Sequence, residues 1–478
     1  MEKVNLYELA EWTGSKIIHS GQNLKISEFS TDSRTIKEGD FFIPLKGLNF
    51  DGHNFIDEAV SKGATGFVYS KDFSDAGIVM QRNILAKFDE YKKCNSKLMI
   101  LECEDTNKFL IDAAKHYLKK FNPISIGITG SVGKTTTKNF LVNILKSYAN
   151  TVYSKKSFNN EIGIPKSIFE VNNKTNYFIA ELGMRGKGQV RELSDLCNIK
   201  YGILTKIGPS HLQFFKDINE IVLAKTEISE KIKENNGFLV LNGDEEYIDQ
   251  IKSNIFCDTV ICGSKQNFEY NFSNIEYNSS ACFSFDINNF DKKIMRVSLL
   301  VAGFHNIYNA ILSAALALKL NIEEEVVKNA IENTTSEYLR MQLKEINGKY
   351  VIIDCYNANP MSLKSAIDTL RIIASSRNAR SVAILGDMLE LGEDSDKYHA
   401  EIGEYLFLKN IDFLMTFGLN SRYTFEKFNE LSKGGNESLY FKDKEMMVKA
   451  LSKVLKENDV ILIKGSRANC MEDIINFI

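Results

Sequence analysis

Residues Ile124 to Thr137 read ISIGITGSVGKTTT, and KNFLVNILKSY follows with helical spacing of its apolar residues. A buried-strand run, a glycine-containing turn, Gly-Lys-Thr and a helix form the context of a phosphate-binding loop. In such a loop backbone N–H groups and the helix N-terminus face phosphate oxygens, which assigns Thr129, Gly130, Ser131, Val132, Gly133 and Thr136 to nucleotide contact. Lys134 supplies a point charge for the β- and γ-phosphates, and Thr135 is placed to hold Mg²⁺. Ile128 stands where the strict G-x-x-x-x-G-K pattern has its first glycine. The strand–loop–helix context outweighs that departure, and nucleoside triphosphate binding is the expected chemistry. No Asn-Lys-x-Asp string for reading guanine occurs, and LSKGG at Leu431 to Gly435 lies between a helix and a strand, where it reads as a loop.

A loop of this kind needs a sheet to hold it. From Asn122 onward short apolar runs alternate with turn residues and helical stretches: ISIGITG, NYFIAELG, YGILTKIG and GFLVLNGD. After a charged helical stretch from Asn321 to Ser336, a second series runs KYVIIDCYNA, SVAILGDM, IDFLMTFG and DVILIKGS. Strands alternating with helices imply parallel sheets with helices on both faces and ligands beyond the carboxyl ends of the strands. The earlier part, with GDFFIPLKG, GATGFVYS and KLMILECED, mixes short runs and turns. The expected fold is α/β in three domains: a mixed N-terminal domain over 1–105, a central P-loop domain with a parallel sheet over 106–334, and a C-terminal Rossmann-like domain over 335–478. Glu181 then closes a strand beside the loop. Asp354, Asn357 and Asn359 lie at another strand end, as do Lys464, Ser466 and Arg467.

Composition narrows the partners. The 478 residues carry 59 basic and 62 acidic groups, a net charge of −3, without the basic excess by which proteins grip nucleic-acid backbones. Plentiful aromatics (31 Phe, 19 Tyr) argue against disorder. No apolar run reaches the roughly 18–20 residues that span a bilayer, and MEKVNLYELAEWTGSK has no signal-peptide pattern. Eight cysteines without a C-x-x-C pair, and six histidines away from any cysteine pair, point to reduced thiols and no zinc site. The expectation is a cytoplasmic protein.

Taken together, TGSVGKTTTKNF, SFNNEIGIPKSIF, AELGMRGKGQV and IGPSHLQFF resemble the Mur ligases, which build the cell-wall peptide, and the likeness extends over nearly the whole chain. STDSRTIKEGDFFIPLKGLNFDGHNFIDEAVSKGA looks like the family's uridine-nucleotide-binding domain. DCYNANPMSLKSAI and ILGDMLELGEDSDKYHAEIG look like the MurF type in particular, and the Y-A-H-x-P and D-N-P-R strings of the third-residue-adding type are missing. The resemblance implies ATP-driven joining of D-alanyl-D-alanine to UDP-N-acetylmuramoyl-tripeptide through an acyl phosphate, in peptidoglycan precursor synthesis. It also implies two Mg²⁺ ions, and the expectation is a monomer. Elementary chemistry agrees: a carboxylate is a poor electrophile, and phosphorylation gives it a leaving group that an amine can displace.

By the same resemblance Glu181 and His211 are Mg²⁺ ligands with Thr135. Lys225, in IVLAKTEISE, is the lysine that becomes carbamylated and joins the metal site, so that Lys134, Glu181, His211 and Lys225 form the catalytic set. Carbamylation needs the neutral amine and turns a cation into an anion; without the resemblance Lys225 reads as a helix-surface charge. Asn306 in GFHNIYNA resembles an adenine contact, with a helix cap as its other role. Arg340 and Asp354 are assigned to ATP. Ser33, Arg34, Lys46 and Gly47 match uridine-nucleotide contacts. Asn159, Asn160, Asn357, Asn359, Lys464 and Ser466 are assigned to substrate.

Three positions depart from the family pattern: Lys206 replaces an asparagine, Gln189 an acidic residue, and Cys355 interrupts an Asp-Asp pair. Competing readings are another Mur-like amide ligase (the third-residue-adding type or a folate polyglutamate synthetase) and a non-catalytic protein gated by nucleotide. The last needs no acyl-transfer metal site, and the Lys134, Glu181, His211 and Lys225 set argues against it.

Overall fold

The structure is a computed structural model that describes residues 1–21, 25–47, 49–72, 98–155, 158–210, 212–433 and 435–478. It divides into two compact units, one of Met1–Gly127, Ala149–Gly183 and Arg191–Lys200, the other of Ile128–Tyr148, Met184–Val190 and Tyr201–Ile478.

The first unit opens with β1 (Val4–Asn5), β2 (Lys16–His19), β3 (Lys25–Ile26), β4 (Glu28–Ser30), β5 (Asp40–Phe42), β6 (Gly66–Ser70) and β7 (Met99–Cys103). β1 pairs with β3, and the others form a sheet in the order β2-β7-β6-β5-β4, parallel except for β2. Phe42, Phe67 and Ile100 on these strands pack with Ile56 and Ala59 of the helix Ile56–Ser61. The helix Thr106–Phe121 starts where the Asp105 carboxylate accepts the N–H groups of Asn107 and Lys108, and stops at Asn122 in the left-handed conformation. β8 (Ile124–Thr129) follows, and the division between units falls inside it. β9 (Thr151–Tyr153) and β10 (Tyr177–Glu181) complete the unit as a parallel pair.

In the second unit β11 (Tyr201–Leu204), β12 (Phe238–Asn242), β13 (Asp258–Gly263) and β14 (Tyr270–Tyr277) run parallel in sequence order. β15 (Cys282–Asn289) and β16 (Lys292–Ala302) then continue the sheet antiparallel. This meander extends the expected parallel sheet with antiparallel strands. Along β16 Met295, Val297, Leu299 and Val301 face inward and alternate with more exposed residues, the pattern of a strand with one solvated face.

The last part of the chain contributes β17 (Gln342–Ile346), β18 (Lys349–Asp354), β19 (Ser381–Gly386), β20 (Phe413–Phe417), β21 (Glu437–Phe441) and β22 (Val460–Lys464), in the sheet order β17-β18-β22-β19-β20-β21. All neighbours are parallel except β17, which returns to β18 through Asn347-Gly348, with φ of 46° and 72° as a tight hairpin requires. Successive strand residues feed opposite cores: Ile352, Leu385 and Leu462 on one face, Val351, Ile384 and Ile461 on the other. This is the doubly covered, Rossmann-like sheet that the alternating pattern predicts.

Candidate functional site

Thr129 ends β8 fully buried, and the chain then turns through Gly130 (φ 148°) and Gly133 (φ 90°). A side chain at Gly130 would run into Thr205, and a Cβ at Gly133 would stand 2.5 Å from Asn309 Oδ1. Both positions therefore require glycine. The loop is fastened from below: Ser131 and Val132 donate backbone N–H groups to the Lys206 carbonyl (2.8 and 3.2 Å), and the Thr205 hydroxyl donates to the Val132 carbonyl (2.7 Å). The Ser131 hydroxyl donates to the Gly208 carbonyl at 2.9 Å. The helix Lys134–Tyr148 begins directly after this turn. Its first turn, with Thr135 and Thr136, thus presents backbone N–H groups and a positive dipole end, the setting for a phosphate.

Lys134 Nζ reaches back to the Gly130 carbonyl at 2.7 Å. Lys225 Nζ donates to the same carbonyl at 2.9 Å. Lys225 belongs to the helix Ile218–Thr226 but is only 2% exposed, so the surface reading is corrected: the helix turns this residue inward. Burial, and next the charge of Lys134, hold its amine well below the usual lysine range. Two nitrogen-bearing side chains thus converge on one oxygen beneath a helix N-terminus, an arrangement that favours an anion.

Beside the loop a cavity of about 290 Å³ is walled by Val132, Gly133, Phe304, Leu312, Met361 and Ile372, with Lys206, Asn242, Asp244, His305, Tyr308 and Thr369 among its polar lining. Asn306 lies buried under it, donating to the Ala302 carbonyl (2.7 Å) and accepting from Asn309 Nδ2 (2.8 Å). The helix His305–Lys319 has no side-chain cap, so Asn306 does not perform the capping role open to it in sequence. Asn309 Oδ1 accepts from the Thr137 hydroxyl at 3.2 Å, which ties the cavity to the phosphate helix. Asn309 is a site residue that the motifs do not single out; its i, i+3 spacing from Asn306 in HNIYNA is the signal that could have found it. His305 Nδ1 is enclosed without a partner among the described residues, and burial lowers the imidazole to about 4.

Glu181 lies in the first unit, buried at the end of β10. Its N–H donates to Ser154 Oγ (2.9 Å), and its Oε1 accepts from Asn159 Nδ2 (3.3 Å). Asn160 Oδ1 accepts the Gly163 N–H at 2.8 Å and shapes the turn into the helix Gly163–Ile168. His211 lies outside the described residues, and among the described ones no group of three His, Cys, Asp or Glu clusters. Mg²⁺ held with phosphates needs only one or two protein oxygens and keeps several waters, and the oxygens of Thr135 and Glu181 are donors of that hard type.

The uridine-contact residues also belong to the first unit. Ser33 is buried and donates to Glu58 Oε2 at 2.9 Å. Arg34 is 81% exposed and grips Asp32 through two hydrogen bonds of 2.9 and 2.8 Å, which lower the Asp32 carboxyl to about 2. Lys46 and Gly47 are exposed; the Gly47 N–H donates to the Phe50 carbonyl, and the Lys46 carbonyl accepts from Asn107. Ser33, Arg34, Phe50, Phe55 and Lys166 are among the residues lining a cavity of about 440 Å³, in which the two phenyl rings stack 5.4 Å apart.

At the strand ends of the C-terminal sheet, Asp354 and Lys464 face each other in the β18–β22 ladder. Lys464 Nζ meets Asp354 Oδ2 at 2.5 Å and the Asn357 carbonyl at 2.8 Å, fully buried. Arg340 lies 3.9 Å over the Tyr356 ring, with its Nε enclosed and unpartnered among the described residues. Asn359 caps the helix Pro360–Ser376 in a reciprocal box with Ser362. Ser466 Oγ accepts the Leu389 N–H at 2.9 Å, fastening the GDMLELG loop, and Arg467 pairs with Glu472. Cys355 is buried and its thiol donates to the Ile463 carbonyl; Gln189 accepts the Arg185 N–H.

Comparison with known proteins gives three successive family matches: "Mur ligase family, catalytic domain" over residues 25–118, "Mur ligase middle domain" over 128–317, and "Mur ligase, glutamate ligase domain" over 339–467. The chain is similar to the UDP-N-acetylmuramoyl-tripeptide--D-alanyl-D-alanine ligase of Haemophilus influenzae, at 28% identity over 99% of this chain and 98% of that one. The ligase of the same name from Buchnera aphidicola subsp. Acyrthosiphon pisum is 30% identical over 95% of this chain and 94% of its own length. Among solved structures, the MurF ligase of Thermotoga maritima in complex with ADP superposes with a TM-score of 0.78 at 25% identity, covering 94% of this chain and 96% of that one.

Proposed function

Because this chain belongs to the Mur ligase family, as a member of its MurF type, we propose that it joins D-alanyl-D-alanine to UDP-N-acetylmuramoyl-tripeptide at the expense of ATP. The observation that carries the reading is the convergence of Lys134 and the buried Lys225 on the Gly130 carbonyl, under a helix N-terminus and beside a base-sized cavity. ATP lies with its phosphates on the loop and its base toward Phe304 and Leu312. The tripeptide's terminal carboxylate oxygen attacks the γ-phosphorus, ADP leaves, and an acyl phosphate remains. The dipeptide amine adds to its carbonyl carbon, the C–O bond to phosphate breaks, and the amide forms as the amine loses its protons.

The Ser131 and Val132 N–H groups are spent on the Lys206 carbonyl, so the first N–H groups of the helix Lys134–Tyr148 and the Lys134 amine hold the charge that grows on the transferring phosphoryl group, where fixed donors are worth most. Mg²⁺, when bound, neutralises phosphate oxygens, and Thr135, Glu181 and His211 would hold it. Burial, and next the charge of Lys134, lower the Lys225 amine and so favour the neutral form that carbon dioxide requires, and its carbamate is part of the reading. In the first unit Ser33, Arg34, Lys46 and Gly47 take the uridine nucleotide, with Asn159 and Asn160 near the substrate. Asp354, Arg340 and Asn306 belong to the ATP side, and Asn357, Asn359, Lys464 and Ser466 to the incoming dipeptide. The domains are 1–105, 106–334 and 335–478. No helix of the described residues is long and apolar enough to cross a membrane, and the enzyme is read as a cytoplasmic monomer.

Purified protein with Mg²⁺, ATP, UDP-tripeptide ending in lysine or in diaminopimelate, and D-alanyl-D-alanine should release phosphate and form the UDP-pentapeptide. Phosphate release with a single amino acid or glutamate in place of the dipeptide, and none with the dipeptide, would overturn the assignment in favour of another amide ligase.

A further inference from the structure

The cavity beside the phosphate loop contains a charge that neither the loop nor the acyl-transfer set accounts for. Lys206 is the one cation among the described residues that line it, alongside Asp244 and Asp368. Its backbone position is fixed, because its carbonyl receives the N–H groups of both Ser131 and Val132. The side chain is exposed and lines the cavity next to Val132 and Gly133, while Asn309 and Tyr308 line it from the helix His305–Lys319. Asp244, another polar group of the lining, already accepts the Tyr308 hydroxyl at 3.1 Å. The charge of Lys206 reaches into the surrounding wall: it is among the causes that lower the imidazole of His305, and it acts against burial at the Glu245 carboxyl.

These positions set an order. Lys134 at the start of its helix faces the terminal phosphates of a nucleotide in the loop, and the apolar walls of Phe304 and Leu312 suit its base. Lys206 belongs to both, since its carbonyl fastens the loop and its side chain lines the cavity with Val132 and Gly133. We infer that Lys206 binds the α-phosphate of the adenine nucleotide, as a second, independent cation beside Lys134. The inference rests on the ATP reading of the site. A flexible, exposed ammonium in the cavity lining suits this role, since it adds a charge-assisted contact without demanding a fixed geometry. The loop itself does not depend on the side chain, because any residue at 206 retains the carbonyl that fastens Ser131 and Val132.

The test is a competition titration of adenosine, AMP, ADP and ATP against a fluorescent ADP analogue, with wild type, Lys206→Met, Lys206→Arg and Lys134→Ala. Lys206→Met should weaken AMP, ADP and ATP by a common factor of about 3–10 and leave adenosine unchanged, in line with the loss of one partly solvated charge-assisted contact. Lys206→Arg should restore most of the loss. Lys134→Ala should weaken ATP and ADP but spare AMP, so that the two lysines separate by phosphate position. The thermal midpoint of Lys206→Met should match wild type. AMP binding equal in Lys206→Met and wild type overturns the inference, and so does an equal loss for adenosine, which would make Lys206 a part of the cavity wall. Wild-type protein that binds none of the four overturns the ATP reading itself.

Discussion

The phosphate loop and the proposed uridine loops both present cations to a phosphorylated ligand, but they are built in opposite ways. Around the loop stand the first N–H groups of the helix, the half-buried amine of Lys134 and the buried amine of Lys225, and Thr205 and Lys206 fasten the loop by hydrogen bonds. Around Ser33 the chief cation, Arg34, is exposed and spends its guanidinium on its own neighbour Asp32. An exposed ion pair is screened by solvent and yields readily to a ligand. Lys134, tied to the Gly130 carbonyl at the start of its helix, is already in place when charge develops. The first arrangement suits bond-making, the second suits recognition.

That contrast is tested most severely at Lys134. Lys134→Ala leaves the glycine turn and helix unaltered and should lower turnover by at least about 10²- to 10³-fold, the scale of losing one preorganised charge donor, while circular dichroism and thermal midpoint stay near wild type. Near-normal turnover would place catalysis elsewhere. Lys225 comes next. Lys225→Ala should abolish most ligation and spare ADP binding, and Lys225→Arg should be no better, because arginine remains a cation and cannot take up carbon dioxide. Activity retained by both variants would count against the carbamate.

A smaller effect separates the cavity from the rest through pH. Burial holds His305 at about 4, against an ordinary value of 6.5. Between those values the unfolded chain binds more protons, so stability from this residue falls as pH drops from 6.5 to 4, by about 3 kcal/mol in total. Glu245, raised to about 7 from 4.5 by burial, acts oppositely: the folded carboxyl keeps its proton while the unfolded one loses it, and its contribution falls as pH rises through that range. Urea unfolding of His305→Gln should therefore show less acid-side loss than wild type, and Glu245→Gln less loss toward neutral pH. Parallel curves for wild type and both variants would show that neither group titrates as described. The smallest effect belongs to Arg34. Arg34→Ala should raise KM for the UDP-substrate by a few-fold, with kcat and stability nearly unchanged. A large fall in kcat would erase the contrast between the two regions.

How much of this is legible in sequence follows the range of the interactions. The phosphate loop is a local string, and its strand, glycines and helix stand where the pattern puts them. The C-terminal sheet likewise follows from alternating strand and helix runs. Lys225 cannot be placed by pattern, because its burial arises from the packing of a helix far along the chain against Gly130. Asn309 is hidden in an apolar helix, where the recognisable string ends on its neighbour Asn306. The antiparallel strands β15 and β16 carry a clear period of two, which the surrounding βα rhythm masks. Asn359 and Ser466 show a different limit: their types suit ligand contact, and the structure also gives each a local hydrogen-bonding role.

The central claim, that ATP activates the tripeptide carboxylate as an acyl phosphate, is tested most directly by isotope transfer. UDP-tripeptide labelled with ¹⁸O at both oxygens of its terminal carboxylate is turned over with ATP and D-alanyl-D-alanine, and the released phosphate is analysed by mass spectrometry. Each inorganic phosphate should carry one ¹⁸O, since the bridging oxygen of the acyl phosphate leaves with phosphorus when the amine attacks. Phosphate free of ¹⁸O alongside formed pentapeptide would contradict it.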